Sequence, residues 1–197
     1  MSSFKKKLGY IKYYFSVFIT YVKNISFKRF LLKLKYGKRL KIKHSDKLYK
    51  GADVVIQKNS SVKMGKCVRI KNNALISSVG GGVLSIGNDT FINRNCNIVA
   101  RKQIVIGDNV MIGPNVCIFD HDHKYNSETI FNNDFLTDNI VIEDGCWICS
   151  GAIILKGAHI GKCSVIGAGT VVKGEVPPHS IVISKREQVI KPIKDKV

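Results

Sequence analysis

The stretch IEDGCWICSGAIILKGAHIGKCSVIGAGTVVKGEV, residues 142–176, decides the fold. Ile142, Ile148, Ile154, Ile160, Ile166 and Val172 recur six apart, and each is followed four places later by a small or short residue: Cys146, Ala152, Ala158, Ser164, Thr170 and Val176. An α-helix repeats every 3.6 residues and a two-sided strand every two, so neither keeps such a beat. A chain that turns a corner every six residues does keep it. One aliphatic side chain per flat points inward, and a small residue fills the tight space at each corner. The pattern predicts a parallel β-helix of hexapeptides with three flats to a coil.

Working outward, Ile56, Val62, Val68 and Ala74 fit the beat, then Ile86, Ile92 and Ile98, and after a phase shift of two Ile106, Ile112 and Ile118. Gly80, Gly81 and Gly82 fall where a beat residue is due, and read as a small extruded loop. Between Ile118 and Ile142 the phase survives, but DHDHKYNSETIFNNDFLTDN is too polar to line a core. About one coil's length therefore leaves the helix as a long loop, residues 119–141. Long loops inside compact domains tend to carry function.

The chain has 197 residues, 45% of them hydrophobic, and a net charge of +18. That length suits one domain plus an appendage. The expected organisation is a basic amphipathic segment over 1–50, the β-helix over 51–184 and a tail over 185–197. Residues 1–50 hold 15 Lys/Arg against the single acid Asp46, so the excess charge is assigned to this segment rather than to the β-helix. Leu8, Ile11, Phe15, Phe18, Val22 and Ile25 step by three and four along one stripe of a helix. The apolar run 13–22 is about half of a bilayer span, so no crossing is expected. Lys12 interrupts it and no small-residue cleavage site follows, which argues against a signal peptide. Two readings remain for the stripe: contact with an anionic membrane surface, or packing on symmetry mates. Lys/Arg-rich segments also bind nucleic acid, but no nucleic-acid motif accompanies these and no such partner is expected.

Nothing in the sequence argues for export, so the six cysteines are read as free thiols. Cys96 and Cys146 hold the small-residue position, where a thiol is a compact filler. Cys146-Trp147-Ile148-Cys149 spells CxxC, but the repeat itself spaces these residues, and no second CxxC completes a zinc site.

The run GCWICSGAIILKGAHIGKCSVIGAGTVVKGEVPPHSIV, residues 145–182, resembles the C-terminal part of hexapeptide-repeat acyltransferases of the galactoside and maltose acetyltransferase branch. Within it, the run is most similar to O-acetyltransferases of capsule and O-antigen glycans. The resemblance spans roughly residues 80–190. It implies a left-handed β-helix, an exception to the usual right-handed crossover of parallel strands, a homotrimer with sites between subunits, and acetyl-CoA as co-substrate with no metal. It also implies a histidine on the protruding loop, five residues after a beat residue and 24 before the tryptophan. Counting from Ile118 and back from Trp147 both reach His123; a gap in the loop would select His121 instead.

The chemistry implied is proton removal from a sugar hydroxyl as its oxygen attacks a thioester. A neutral imidazole serves as general base and then protonates the leaving thiolate. No acyl-enzyme is required, so the cysteines need no catalytic role. Asp120, Asp122 or Asp134 is expected to orient His123 through its second N–H. By the same resemblance Asn93 binds the acceptor sugar, and Arg101 replaces a family acid, which suits an acidic or phosphate-bearing acceptor. Trp147, Ser150 and Ala168 line the donor channel, Lys173 and Gly174 stand where a phosphate-binding Thr-Lys pair is usual, and Lys191 lies near the nucleotide. The usual Gly-Asn-Pro-Ala segment is replaced by Ser184-Lys185-Arg186-Glu187. The Asp120–His123 run could also hold a divalent metal, but outside it the repeat offers only His159 and His179.

The expected function is an acetyl-CoA-dependent O-acetyltransferase of surface-polysaccharide biosynthesis, cytoplasmic, and peripheral at the inner face of the cytoplasmic membrane on the membrane-contact reading of residues 1–50. One rival is N-acetylation of a nucleotide-linked amino sugar, where loss of the histidine should matter less at high pH. Another is a non-catalytic hexapeptide scaffold, which an intact acetyl-CoA site would argue against.

Overall fold

A computed structural model of the chain describes Tyr14 and residues 27–185. Three parallel sheets of seven, seven and six strands close a three-sided coil, and a separate two-stranded hairpin stands off it. Each flat presents two residues inward. In the second sheet they are pairs such as Thr90 and Ile92, Val110 and Ile112, or Cys146 and Ile148, and all are buried. Ile92, Ile112, Ile148 and Ile166 therefore stack rung upon rung, each side chain contributing about 1.5–3 kcal/mol by leaving water. Corners are made by residues of positive φ placed just before the small inward residue. Asn73, Asn95, Asn115, Gly151 and Gly169 precede Ala74, Cys96, Val116, Ala152 and Thr170. Asn and Gly tolerate this left-handed conformation best.

Coil length is uneven. Stacked partners in the first sheet are Leu40, Val62, Leu84, Ile104 and Ile140, then Ile142, Ile160 and Val176, so successive coils take 22, 22, 20, 36, 18 and 16 residues. All the extra residues sit at one corner, between the third and first sheets. There the three glycines of 80–82 make a tight turn, with Gly80 and Gly81 at φ +60° and +91°. The long segment forms a hairpin of His121–Tyr125 and Ile130–Thr137.

Three expectations need correction. The β-helix starts at Leu40, not residue 51, because Leu40–Lys41 and Lys47–Leu48 already pair with the second coil. Lys41, Lys43, Lys47 and Lys50 therefore lie on the coil, and the positive charge is not confined to an appendage. In the early coils Val62, Val68 and Ala74 take the first inward position, and Met64, Ile70 and Ile76 the second that the beat marks elsewhere. Both positions are aliphatic there, so a six-residue period alone leaves the phase ambiguous by two.

The stripe from Leu8 to Ile25 lies outside the described residues apart from helical, exposed Tyr14. Residues 27–36 are also helical and cover the N-terminal end of the coil. Leu32 and Tyr36 are buried in the core, and the Tyr36 hydroxyl donates to the Val54 carbonyl at 2.9 Å. Lys28 and Arg29 donate to the carbonyls of Ala52 and Asp46. The cysteines of the described residues are free. Burial pushes the Cys96 thiol up to about 11, and it raises those of Cys146 and Cys149 as well. These thiols are fillers with little thiolate character.

Candidate active site

Two clusters carry the expected site residues. The first is a groove of about 450 Å³ on the outer face of the second sheet and its corner with the third, lined by Phe91, Asn93, Met111, Pro114, Trp147 and Ser150, with Ala168 at one end. Phe91, Met111 and Trp147 are outward residues in direct register, one per coil. Met111 and Trp147 remain 53% and 49% exposed, an apolar panel open to a partner surface. Gly113 leaves the floor low, since a Cβ there would come within 2.8 Å of the Ser150 amide nitrogen. Four expected residues, Asn93, Trp147, Ser150 and Ala168, thus meet in one place. Phe91 and Met111 were not anticipated; their signal is that they share Trp147's rung position, visible only once coil lengths are known.

The second cluster is the hairpin root. Asp120 is fully buried, and its carboxylate accepts from the backbone N–H of Arg101 at 2.8 and 3.0 Å and of Lys102 at 2.8 Å. Its Oδ1 also lies 3.1 Å from His121 Nδ1. His123 is exposed, its Nδ1 lies 3.2 Å from the Phe131 carbonyl, and its ring centroid is 4.6 Å from that of Phe135. Pairing in the hairpin jumps from His123–Phe135 to Lys124–Phe131 at this point. Such an irregularity re-aims a side chain, and here it brings the Phe131 carbonyl to the imidazole. A carbonyl only accepts, so Nδ1 carries the proton and Nε2 keeps a free lone pair.

His123 is consequently oriented by a backbone carbonyl and not by an aspartate. Asp120 serves His121, Asp122 pairs with Lys156 at 3.4 Å, and Asp134 pairs with Lys124 at 2.9 Å. Arg101 lies at the same root, its guanidinium 3.4 Å from the Phe135 ring centroid. Lys173 and Gly174 occupy the third-to-first corner of the last coil and do not line the groove; the Gly174 carbonyl accepts from His159 N at 3.0 Å. Lys191 lies outside the described residues.

On a three-sided coil the corner that extrudes the hairpin faces away from the second sheet, and no hairpin residue lines the groove. One chain therefore presents its histidines and its groove on different sides. Among the described residues no group of three or more His, Cys, Asp or Glu is placed to hold a metal ion.

Residues 139–174 match the bacterial transferase hexapeptide family, described as six repeats. The chain is similar to a maltose O-acetyltransferase of Clostridium difficile 630, with 33% identity, a TM-score of 0.56, and coverage of 66% of this chain and 69% of that one. It is also similar to a hexapeptide-repeat acetyltransferase of Vibrio cholerae O1 biovar eltor complexed with acetyl coenzyme A, at 28% identity and TM-score 0.56 over 74% and 73% of the two chains. A third structure, a galactoside acetyltransferase in complex with coenzyme A, is 32% identical with TM-score 0.54 over 60% of this chain and 58% of that one. A search of the curated proteins returns no match. The chain belongs to the hexapeptide-repeat acetyltransferases, and its coil is the left-handed parallel β-helix of that family.

Proposed function

We propose that this chain transfers the acetyl group of acetyl-CoA to a sugar hydroxyl of a surface polysaccharide, capsule or O-antigen, working as a homotrimer. The observation that carries the reading is the meeting of Asn93, Trp147, Ser150 and Ala168 in one groove. Its apolar panel fits a pantetheine arm and a thioester, while Asn93 and Ser150 supply the few polar groups that such a pocket needs. Two of the similar acetyltransferases hold acetyl-CoA and CoA, which supports the donor.

The hairpin of one copy reaches the groove of the next and completes the site, with Lys173 and Gly174 on the donor side. His123 Nε2 takes the hydroxyl proton as the sugar oxygen bonds to the thioester carbon. When the C–S bond breaks, the imidazolium returns that proton to the departing thiolate sulfur. Direct transfer in a ternary complex needs no protein nucleophile. Arg101, under Phe135 at the hairpin root, places a fixed positive charge beside the two histidines. The test is thiol release from acetyl-CoA across sugar, nucleotide-sugar and glycan acceptors, with sedimentation in parallel. An O-acetylated product and a three-fold particle are expected. Acetylation of amines alone would move the reading to N-acetyl transfer, and acetyl-CoA binding without any transfer would leave a scaffold.

A membrane-surface role for the N-terminal segment has its own observation. Phe27, Phe30, Leu31 and Leu34 form an exposed apolar stripe on the helical residues 27–36, with Lys33, Lys35 and Lys38 beside it. No helix among the described residues is long and apolar enough to cross a membrane. Such a surface suits anionic lipid. Binding to anionic vesicles that weakens with salt is expected; a trimer that collapses when Phe30 and Leu34 become Ser, without vesicle binding, would make the stripe a packing face.

A further inference from the structure

The groove is the lower half of a longer track. Most of its lining belongs to two adjacent columns of the second sheet, and both continue toward the N-terminal coils. One column runs Trp147, Met111, Phe91, Arg69, Lys47. The other runs Cys149, Gly113, Asn93, Lys71, Tyr49, tied by backbone bonds from each residue to the coil beyond, such as Asn93 N to the Ile112 carbonyl and Lys71 N to the Ile92 carbonyl. Rungs of a sheet lie about 4.7–4.9 Å apart. Past Asn93, the next rung therefore adds two outward cations, Arg69 and Lys71, and the one after it a third, Lys47, in steps comparable to one pyranose.

Arg69 and Lys71 are held on aromatic rings, and they and Lys47 are without carboxylate partners among the described residues. The Arg69 guanidinium lies 5.2 Å from the Phe91 ring centroid, and the Lys71 ammonium lies 4.0 Å from that of Tyr49. Stacking on aromatic faces fixes their position without neutralising them. Among the described residues, Lys47, Arg69 and Lys71 form no ion pair with a carboxylate. Residues 38–71 hold eleven Lys/Arg against Asp46 and Asp53, and Asp46 is buried with its carboxylate accepting from Lys43 N and Val68 N. The C-terminal rungs of the same column are instead apolar, Val165 and Ile181.

We propose that the acceptor is an acidic oligosaccharide that lies along this face. Its reactive sugar sits at Asn93 and Phe91, and the carboxylates of its next units rest on Arg69, Lys71 and Lys47. This rests on the groove being the transferase site, and it extends that site by two coils. Three cations spread over two successive rungs match a chain that carries a carboxylate on each unit. A phosphate on a lipid carrier or nucleotide concentrates its charge at one point, which a single rung would satisfy.

The test is calorimetric binding of an oligogalacturonate and of its carboxyl-reduced neutral counterpart to the wild-type protein, with acetyl-CoA binding measured in parallel. Binding of the acidic probe should weaken with salt and exceed that of the neutral one. Arg69→Gln with Lys71→Gln should weaken it about 10- to 100-fold, the loss of charge-assisted hydrogen bonds, while acetyl-CoA binding and the assembly state stay unchanged. Equal affinity for the two probes, or an acidic-probe affinity untouched by the double variant, would overturn the proposal. Pyrophosphate binding as tight as oligogalacturonate, and equally sensitive to the variant, would also overturn it by moving the occupant to a phosphate carrier. Loss of acetyl-CoA binding in the wild type would instead count against the transferase site and leave the track's preference for the acidic probe readable on its own.

Discussion

The coil from Ile142 to Val176 and the corner between the third and first sheets follow opposite rules. In the coil the residues repeat so closely that Ile148 and Ile166 stack in direct register, and Gly145, Gly151, Gly157 and Gly169 all turn at positive φ. At the corner the chain inserts four, four, two and then eighteen residues beyond the hexapeptide beat, without disturbing the rungs on either side. A solenoid adds stability rung by rung, so insertions at one corner leave the neighbouring rungs paired. Chemistry-bearing residues collect there because the polar hairpin need not fill a core.

That contrast is broken most severely if the hairpin histidines prove dispensable. His123→Ala should lower turnover by about 10²–10⁴, the usual share of a general base, with acetyl-CoA affinity and thermal stability little changed. His121→Ala should do far less, since its imidazole is tied to buried Asp120. Side-by-side kinetics of the two folded variants decide it. The opposite ranking would make His121, with its Asp120 partner, the base.

A core substitution should show the reverse profile. Ile148→Ala, at a fully buried rung, should cost about 2–5 kcal/mol in denaturant unfolding. A loss under about 1 kcal/mol would mean that the rungs do not carry the stability assigned to them.

The smallest effect belongs to the outer face of the first sheet, where His159 Nε2 meets Glu143 at 2.8 Å and its Nδ1 meets Glu175 at 3.1 Å. The Glu143 hydrogen bond raises the His159 pKa above its usual value. Its contribution is therefore complete below the unfolded imidazole's pKa and fades as pH rises through the raised one. Glu143 is held low, first by His159 and then by the Lys162 N–H, so its contribution fades as pH falls through that lowered value. The pair should thus stabilise between the two. His159→Gln should flatten the alkaline side of a Tm–pH profile by a small amount, because both groups are partly exposed and screened. An unchanged profile would make the pair incidental.

The sequence made the fold legible where a flat's two inward positions differ in size, as with Ala152 and Ile154. It misled where both are aliphatic, as with Val62 and Met64, and where Lys41 and Lys47 hid the first coil inside a basic run. That Asn93, Trp147, Ser150 and Ala168 belong to one cluster was legible through family spacing. The partner of His123 was not, because it depends on a hairpin irregularity that brings Phe131 across, and no residue count encodes that. Phe91 and Arg69 were illegible for a related reason: their alignment with Trp147 spans coils of 22, 20 and 36 residues.

The central claim is that the histidine hairpin of one copy works on the groove of another. It is tested by mixing two inactive variants, His123→Ala and the groove-blocked Ser150→Trp, unfolding them together and refolding them as mixed assemblies. Random association in a three-fold ring gives about one quarter of the sites an intact hairpin facing an intact groove. The account predicts recovery of about that share of wild-type activity, from proteins that show none when refolded alone. Mixed assemblies that form and remain inactive, while wild type refolded in the same way is active, would contradict it and place the histidine and groove of a single chain in one site.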